Sequence, residues 1–344
     1  MTIKTKITEK LGIKHPIIAA PMGPFYTTEL TIAVSNAGGL GVLSHIGLAE
    51  KDPVEEMKKD MLHVVEHTDK PFGFNIRTSR MEPYASVLCH DIPKFIMENP
   101  KLKEQCIYAL TSAGSAKTLP SSSTFQKLKE ESEIKHFHVA PALWLAEKCV
   151  SAGVDGLVVT GGEGGGHQSY EMVSTLVLLQ QVQQKYPDFP IVACGGFATG
   201  EGLAAALALG AGAVAMGSRF ISSKESEFHE VYKNVVPPAQ AQDTVMATGV
   251  FGPIRLWKNK YAVEHVMIGS KEEKLAQEAT LSADDIIETM RAYELAYKGN
   301  VEDGAVLLGQ SIGLINDIES VSYIIEKTVK DAEAALKRAT GLII

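Results

Sequence analysis

Apolar residues along this chain fall into short runs, each followed by a stretch with helical spacing. The runs at 16–20, 40–44, 72–76, 106–110, 136–140, 156–160, 190–194 and 213–216 have the length of strands. Between them, 28–36, 52–67, 123–131, 142–152, 175–185 and 200–209 repeat apolar or alanine positions three and four apart, the period of a helix with one buried face. Strand alternating with helix predicts an α/β protein with a parallel sheet. Glycines gathered behind the strands favour closing that sheet into a (β/α)8 TIM barrel.

Two segments break the repeat. Residues 78–103 read as a long, polar connection after the third strand. Residues 222–300 are richer in charge, contain Pro237-Pro238 and carry helical stretches such as 282–298. The expected division is therefore a barrel core at 1–221, a small, mostly helical insertion or subdomain at 222–300 covering the top of the barrel, and a C-terminal segment at 301–344 packing back on it. An amphipathic helix is expected at 321–338.

Length agrees with this division, because 344 residues exceed the roughly 250 of a plain barrel and leave room for an insertion. The net charge of -8 argues against a nucleic-acid surface. No apolar run approaches the roughly 20 residues needed to cross a bilayer, and residues 1–22 lack the apolar core of a signal peptide. Cys89, Cys106, Cys149 and Cys194 are scattered without a CxxC pair. They read as reduced thiols of a cytoplasmic protein rather than as disulfides or metal ligands. The sequence leaves a homo-oligomer open.

Candidate chemistry concentrates in residues 191–220, IVACGGFATGEGLAAALALGAGAVAMGSRF. This reads strand, glycine turn, helix, strand, glycine turn. Gly195-Gly196 and Gly217-Ser218 then close neighbouring parallel strands and can aim bare backbone N–H groups at one anion. In (β/α)8 barrels, the turns after the last two strands are the usual place for a phosphate.

The glycine loop 161–167, GGEGGGH, follows the sixth strand on the same face. Its glycines allow backbone to approach a flat ligand, and it displays His167, whose imidazole can move a proton near neutral pH. The plainer reading is a tight turn with His167 capping the next helix. Near the N-terminus, Ala20-Pro21-Met22-Gly23 ends the first strand with apolar, adaptable surface suited to a planar ring, although Met22 could equally be core packing. Asn75 ends the third strand, where an amide can donate and accept together. Glu163 reads as an anchor for the loop, and Cys194 as packing.

Taken together, HPIIAAPMG, the AGGLG of 37–41, FGFN, GGEGGGH, the 194–220 segment and the late GAVLLGQSIGLIND of 304–317 resemble the nitronate monooxygenase family, formerly the 2-nitropropane dioxygenases. The resemblance implies an FMN-dependent oxidoreductase. By position, it implies phosphate on Gly195, Gly196, Gly217 and Ser218, and a flavin ring against Ala20, Pro21, Met22 and Gly23. Asn75, Gly165 and Gly166 would also touch the cofactor, Gln310 would close over it, and His167 would be catalytic. The implied reaction oxidises a nitronate with dioxygen (O2) to a carbonyl compound and nitrite, without a metal.

Enzymes that reduce their flavin with NAD(P)H resemble the same motifs, namely FMN-dependent enoyl-[acyl-carrier-protein] reductases and NADH:quinone reductases. A flavin-free barrel holding a phosphorylated ligand is a third possibility. The chain departs from the usual family loop at Gly164, where alanine is common, and at Val139, where some members carry lysine. His45, His136 and His138 are unexpected, and each has a structural reading as a hydrogen-bonded wall residue.

Overall fold

The computed structural model describes residues 3–47, 51–249, 252–265, 271–280 and 283–343. Strands β1 (Ile17–Ala19), β2 (Gly41–Leu43), β3 (Phe72–Arg77), β4 (Cys106–Ser112), β5 (Lys135–Ala140) and β6 (Gly156–Thr160) are followed by a two-residue strand, β7 (Gly166–His167). Then come β8 (Ile191–Cys194) and β9 (Ala213–Met216). Eight of these form one all-parallel sheet in the order β1-β9-β8-β6-β5-β4-β3-β2. A parallel bridge between Ile18 and Leu40 joins its two edges and closes the barrel. The expected strands are all present.

Alternation along the strands sorts side chains between two cores. Inside the barrel, Tyr108, Leu110, Phe137, Val158, Val192 and Ala215 are buried together. The Tyr108 and Phe137 rings fill its centre with centroids 5.0 Å apart. Facing outward, Phe72, Phe74 and Ile76 pack with Met57, Met61 and Val64 of helix Pro53–His67. The C-terminal helix, Val321–Thr340, buries Val321, Ile324, Ile325, Thr328, Val329, Ala332 and Ala335, a stripe at helical spacing. It lies so close to helix Gly200–Ala208 that a methyl on Gly200 would stand 2.4 Å from Asp331 Cβ.

Two expectations need correction. Residues 78–103 are not only a polar connection: Ala85–Glu98 is a helix that buries Leu88, Cys89, Ile92 and Ile96 against the outer core, and Pro100–Gln105 is a second. The region 222–300 is not only helical. It contains an antiparallel hairpin, β10 (Thr244–Gly249) and β11 (Gly252–Trp257), and β11 also pairs with β7 in a three-stranded sheet. The helix expected at 282–298 is found as Ala283–Tyr297, and residue 282 lies outside the described residues. No described helix is long and apolar enough to cross a membrane.

Candidate active site

A cavity of about 470 Å³ opens at the carboxyl ends of the barrel strands. Ala20, Pro21, Met22, Gly23, Asn75, Gly165, Gly166, His167, Gly195, Gly196, Gly217 and Ser218 all line it. Sequence-distant residues read as candidates are thus brought to one place. Gln310 is the exception. Its backbone N–H donates to the Glu163 carbonyl at 2.9 Å, and it is the neighbouring Ser311 that lines the cavity. The late segment thus ties down the glycine loop through the Gln310 backbone.

The two glycine turns have the form a phosphate cradle needs. Gly195 and Gly196 sit at φ +87° and +88°, where a side chain is strained. A methyl on Gly195 would also stand 3.0 Å from the Gly161 oxygen and the Gly164 nitrogen. Ser218 accepts the Gly309 N–H at 3.0 Å through its hydroxyl oxygen, which leaves the hydroxyl proton to donate. On the neighbouring wall, Asn75 donates from Nδ2 to the Leu110 carbonyl (3.2 Å) and to Ser112 Oγ (3.1 Å). Its amide is thereby fixed at the cavity.

The glycine loop is held from several sides. Glu163 accepts both the backbone N–H (2.8 Å) and the hydroxyl (2.9 Å) of Thr175, so its carboxylate caps helix Thr175–Lys185. Arg255 donates from Nε to the Gly162 carbonyl at 2.8 Å. His167 does not cap the following helix. It lies in β7, paired opposite Ile254 of the hairpin, and the next residue, Gln168, donates its N–H to Pro253 at 2.7 Å. A methyl on Gly249 would stand 3.1 Å from His167 Nε2. The hairpin thus backs the imidazole and fixes it on sheet rather than loop.

The three unexpected histidines resolve into supports. His136 and His138 alternate with the inward-facing Phe137 on β5, and His138 also lines the cavity. Thr111 Oγ1 lies 2.7 Å from His136 Nε2 and 2.6 Å from His138 Nδ1. Burial keeps both imidazoles neutral, pushing His136 down to about 3, with the neighbouring His138 adding to the effect, and His138 down to about 4. His45 is fully buried, and its Nδ1 accepts the backbone N–H of Arg77 at 3.0 Å. Its other nitrogen faces Glu82 at 3.5 Å.

Sequence reading missed several cavity residues. Arg77, Ser112, Trp144, Gln168 and Tyr170 line the cavity alongside the expected residues. The hairpin had a readable signal, TVMATG and GPIRLW with a glycine at the inner end of each. Arg77 had none, because its partner His45 comes from another segment.

A closed parallel barrel with glycine turns and an imidazole at its carboxyl face defines a TIM-barrel protein with its candidate site at the usual end. The sequence profile of the nitronate monooxygenase family matches residues 4–331, and the chain belongs to that family of flavin-dependent oxidoreductases. It is 31% identical to (3aS,4S,5R,7aS)-5-hydroxy-7a-methyl-1-oxo-octahydro-1H-indene-4-carboxyl-CoA dehydrogenase of Rhodococcus jostii, over 99% of this chain and 98% of that protein. It is 28% identical to a probable nitronate monooxygenase of Staphylococcus saprophyticus, over 98% of this chain and all of the relative. Among solved structures, FabK from Thermotoga maritima superposes with a TM-score of 0.81 at 34% identity, covering 99% of this chain and 100% of FabK.

Proposed function

We propose that this protein is an FMN-dependent oxidoreductase acting on an acyl thioester, with NAD(P)H as the partner that reduces the cofactor, or NAD(P)+ as the one that reoxidises it in the reverse direction. The observation that carries this reading is the outer wall of the cavity. Beyond the surfaces expected to hold flavin, Pro141, Trp144, Leu145 and Tyr170 extend the lining and supply apolar surface for an acyl group larger than a small nitroalkane. A relative above 30% identity points the same way, being named a carboxyl-CoA dehydrogenase.

The cavity suits FMN. Gly195 and Gly196 have the positive φ and the bare Cα that close approach of a phosphate requires, and the Ser218 hydroxyl has a proton to give it. Ala20, Pro21, Met22 and Gly23 offer a flat apolar seat, and Asn75 a fixed amide. Bound there, FMN supplies a ring that accepts or returns a hydride.

The chain's own residues do the rest. The sheet-held His167 supplies a proton to the carbon next to the thioester carbonyl when an enoyl group is reduced, or removes it in the reverse direction. Neither direction calls on a metal-binding group, and the described residues contain no cluster of side chains that would hold one.

A second reading, oxidation of a nitronate by dioxygen, is favoured by the family match and by the probable nitronate monooxygenases among the relatives. The test is anaerobic bleaching of the FMN-loaded protein with NAD(P)H and with propane-2-nitronate in parallel, followed by reoxidation with crotonyl-CoA. Bleaching by NAD(P)H and recovery of colour with crotonyl-CoA support the thioester reading. Bleaching by the nitronate alone moves the assignment to the second. Absence of flavin absorbance after loading with FMN overturns both.

A further inference from the structure

One buried charge at the cavity has no part in the chemistry described so far. Arg77 ends β3 on the same face as Gly73 and Asn75, the face turned into the barrel, whereas Phe72, Phe74 and Ile76 pack outward. Its side chain is 9% exposed, and Arg77 lines the cavity. It is held in place from several sides. Nη2 donates to Glu82 Oε2 at 2.9 Å, the backbone N–H donates to His45 Nδ1 at 3.0 Å, and a methyl on Gly47 would collide with Nη2 at 2.4 Å.

Burial would raise the Glu82 carboxyl, but hydrogen bonds from His45 and Arg77 and the Arg77 charge outweigh it and hold Glu82 below the usual carboxylate range. Burial, followed by the Arg77 charge, keeps His45 itself neutral. The guanidinium is therefore the positive charge in this group. Nη1 lies on the side of Gly23, where an added methyl would stand 3.9 Å away, so the charge borders the first-strand loop that lines the same cavity.

We infer that Arg77 is the residue that binds the anionic oxygen of the substrate in this cavity, and that Glu82 and His45 are positioning residues for it. The FMN phosphate expected on Gly195-Gly196 is not the anion concerned. The glycine turn Gly195-Gly196 follows β8, and in the closed order of strands β8 and β3 stand on opposite sides of the barrel. His167 follows β6, so Arg77 and His167 approach the cavity from different sides. A planar, oriented guanidinium suits an oxygen on which charge builds during reaction. In a thioester, that oxygen is the carbonyl oxygen, which becomes enolate-like when hydride reaches the β carbon and recovers its double bond as the α carbon takes the proton. A nitronate carries its anionic oxygens from the start. The inference rests on the cavity being the redox site proposed above, and it applies to either substrate.

The experiment uses FMN-loaded protein with two probes, acetoacetyl-CoA as an enolate-forming thioester and propane-2-nitronate. Flavin absorbance is followed anaerobically against probe concentration in the parent, Arg77→Lys, Arg77→Gln and the double variant Arg77→Gln/Glu82→Gln. The double variant leaves no unpaired carboxylate and keeps the test open if Arg77→Gln fails to fold. The expected result is a half-saturating concentration raised at least tenfold in the Gln variants and by less in Arg77→Lys, with the FMN dissociation constant within twofold of the parent. Unchanged titrations in the Gln variants overturn the inference. A parallel loss of FMN affinity also overturns it, by assigning Arg77 to the cofactor. A response of the parent to the nitronate alone removes the thioester reading, and the nitronate series then judges Arg77. No response of the parent to either probe overturns the inference as well.

Discussion

Gly165 and Gly309 stand back to back: a methyl on Gly309 would lie 2.7 Å from the Gly165 nitrogen, and one on Gly165 would lie 2.6 Å from the Gly309 nitrogen. Both obstacles are backbone, so neither can swing aside. The late segment thereby clamps the loop that carries His167. Gly309→Ala should cost about 1–3 kcal/mol of stability, as overpacking of a tight contact does. It should also weaken FMN retention by displacing Gly165 from the cavity. Gln310→Ala removes only a side chain whose residue is tied through its backbone, and should stay within about 0.5 kcal/mol of the parent. Urea unfolding and FMN titration of both variants check this, and a fully stable Gly309→Ala would show that the clamp does not matter.

The contrast between Gly309 and Gln310 shows which part of the site the sequence reveals. Barrel strands are legible because each is a short apolar run ended by glycine or a polar cluster, and the turns at Gly195-Gly196 and Gly217 are legible because their chemistry is local. Helix Ala85–Glu98 is hidden because Pro93 and the polar His90-Asp91 pair obscure the repeat of Leu88, Cys89, Ile92 and Ile96. The hairpin lies in a charged region whose helical stretches dominate its pattern. Arg77 and Glu82 lie five residues apart, but His45 belongs to another segment, and only the pairing of β2 with β3 brings it to them.

Gly196 separates strain from charge. An added Cβ there has ordinary space, with Glu163 Cβ 3.6 Å away, so the penalty comes from φ +88° and from whatever the side chain brings. Gly196→Ala should cost roughly 1–2 kcal/mol of stability and retain measurable FMN affinity. Gly196→Asp adds a negative charge at the expected phosphate position and should abolish retention. Fluorescence titration with FMN compares them, and equal affinities would remove Gly196 from the phosphate site.

His136 and His138 tie stability to pH. Their folded pKa values, about 3 and about 4, lie below the unfolded value near 6.5. The unfolded chain therefore binds more protons as pH falls below about 6.5, and the stability these groups allow at neutral pH is lost on acidification. Asp60 and Glu227, raised by burial to about 6 and about 7, act in the opposite sense between neutral pH and their unfolded values. The informative quantity is thus a difference. His136→Gln should flatten the stability curve relative to the parent by about 1.4 kcal/mol per pH unit between pH about 5.5 and about 4. Chemical denaturation across that range measures it, and parallel curves would mean that His136 is not held neutral.

Thr111 is the shared partner of those two imidazoles, and its hydroxyl has one proton to divide between them. With both rings neutral, it donates to one nitrogen and accepts from the other. Thr111→Val keeps the shape and leaves two buried ring nitrogens unsatisfied, so it should cost about 1–3 kcal/mol per stranded group. A stability loss below about 0.5 kcal/mol would argue that the hydroxyl is dispensable.

His167 is the proton-handling residue of the proposed reaction, and its place in β7 makes the role testable without disturbing the fold. Its backbone pairing with Ile254 does not depend on the side chain, so His167→Asn should retain FMN and near-parental stability. Turnover should fall by about 10²- to 10⁴-fold, the usual worth of a positioned acid or base. The loss should fall on the step in which the organic substrate gains or gives up a proton. Reoxidation of the reduced protein by crotonyl-CoA should therefore slow by the full factor. Stopped-flow absorbance separates that step from bleaching by NAD(P)H, and undiminished reoxidation in the variant would take His167 out of the chemistry.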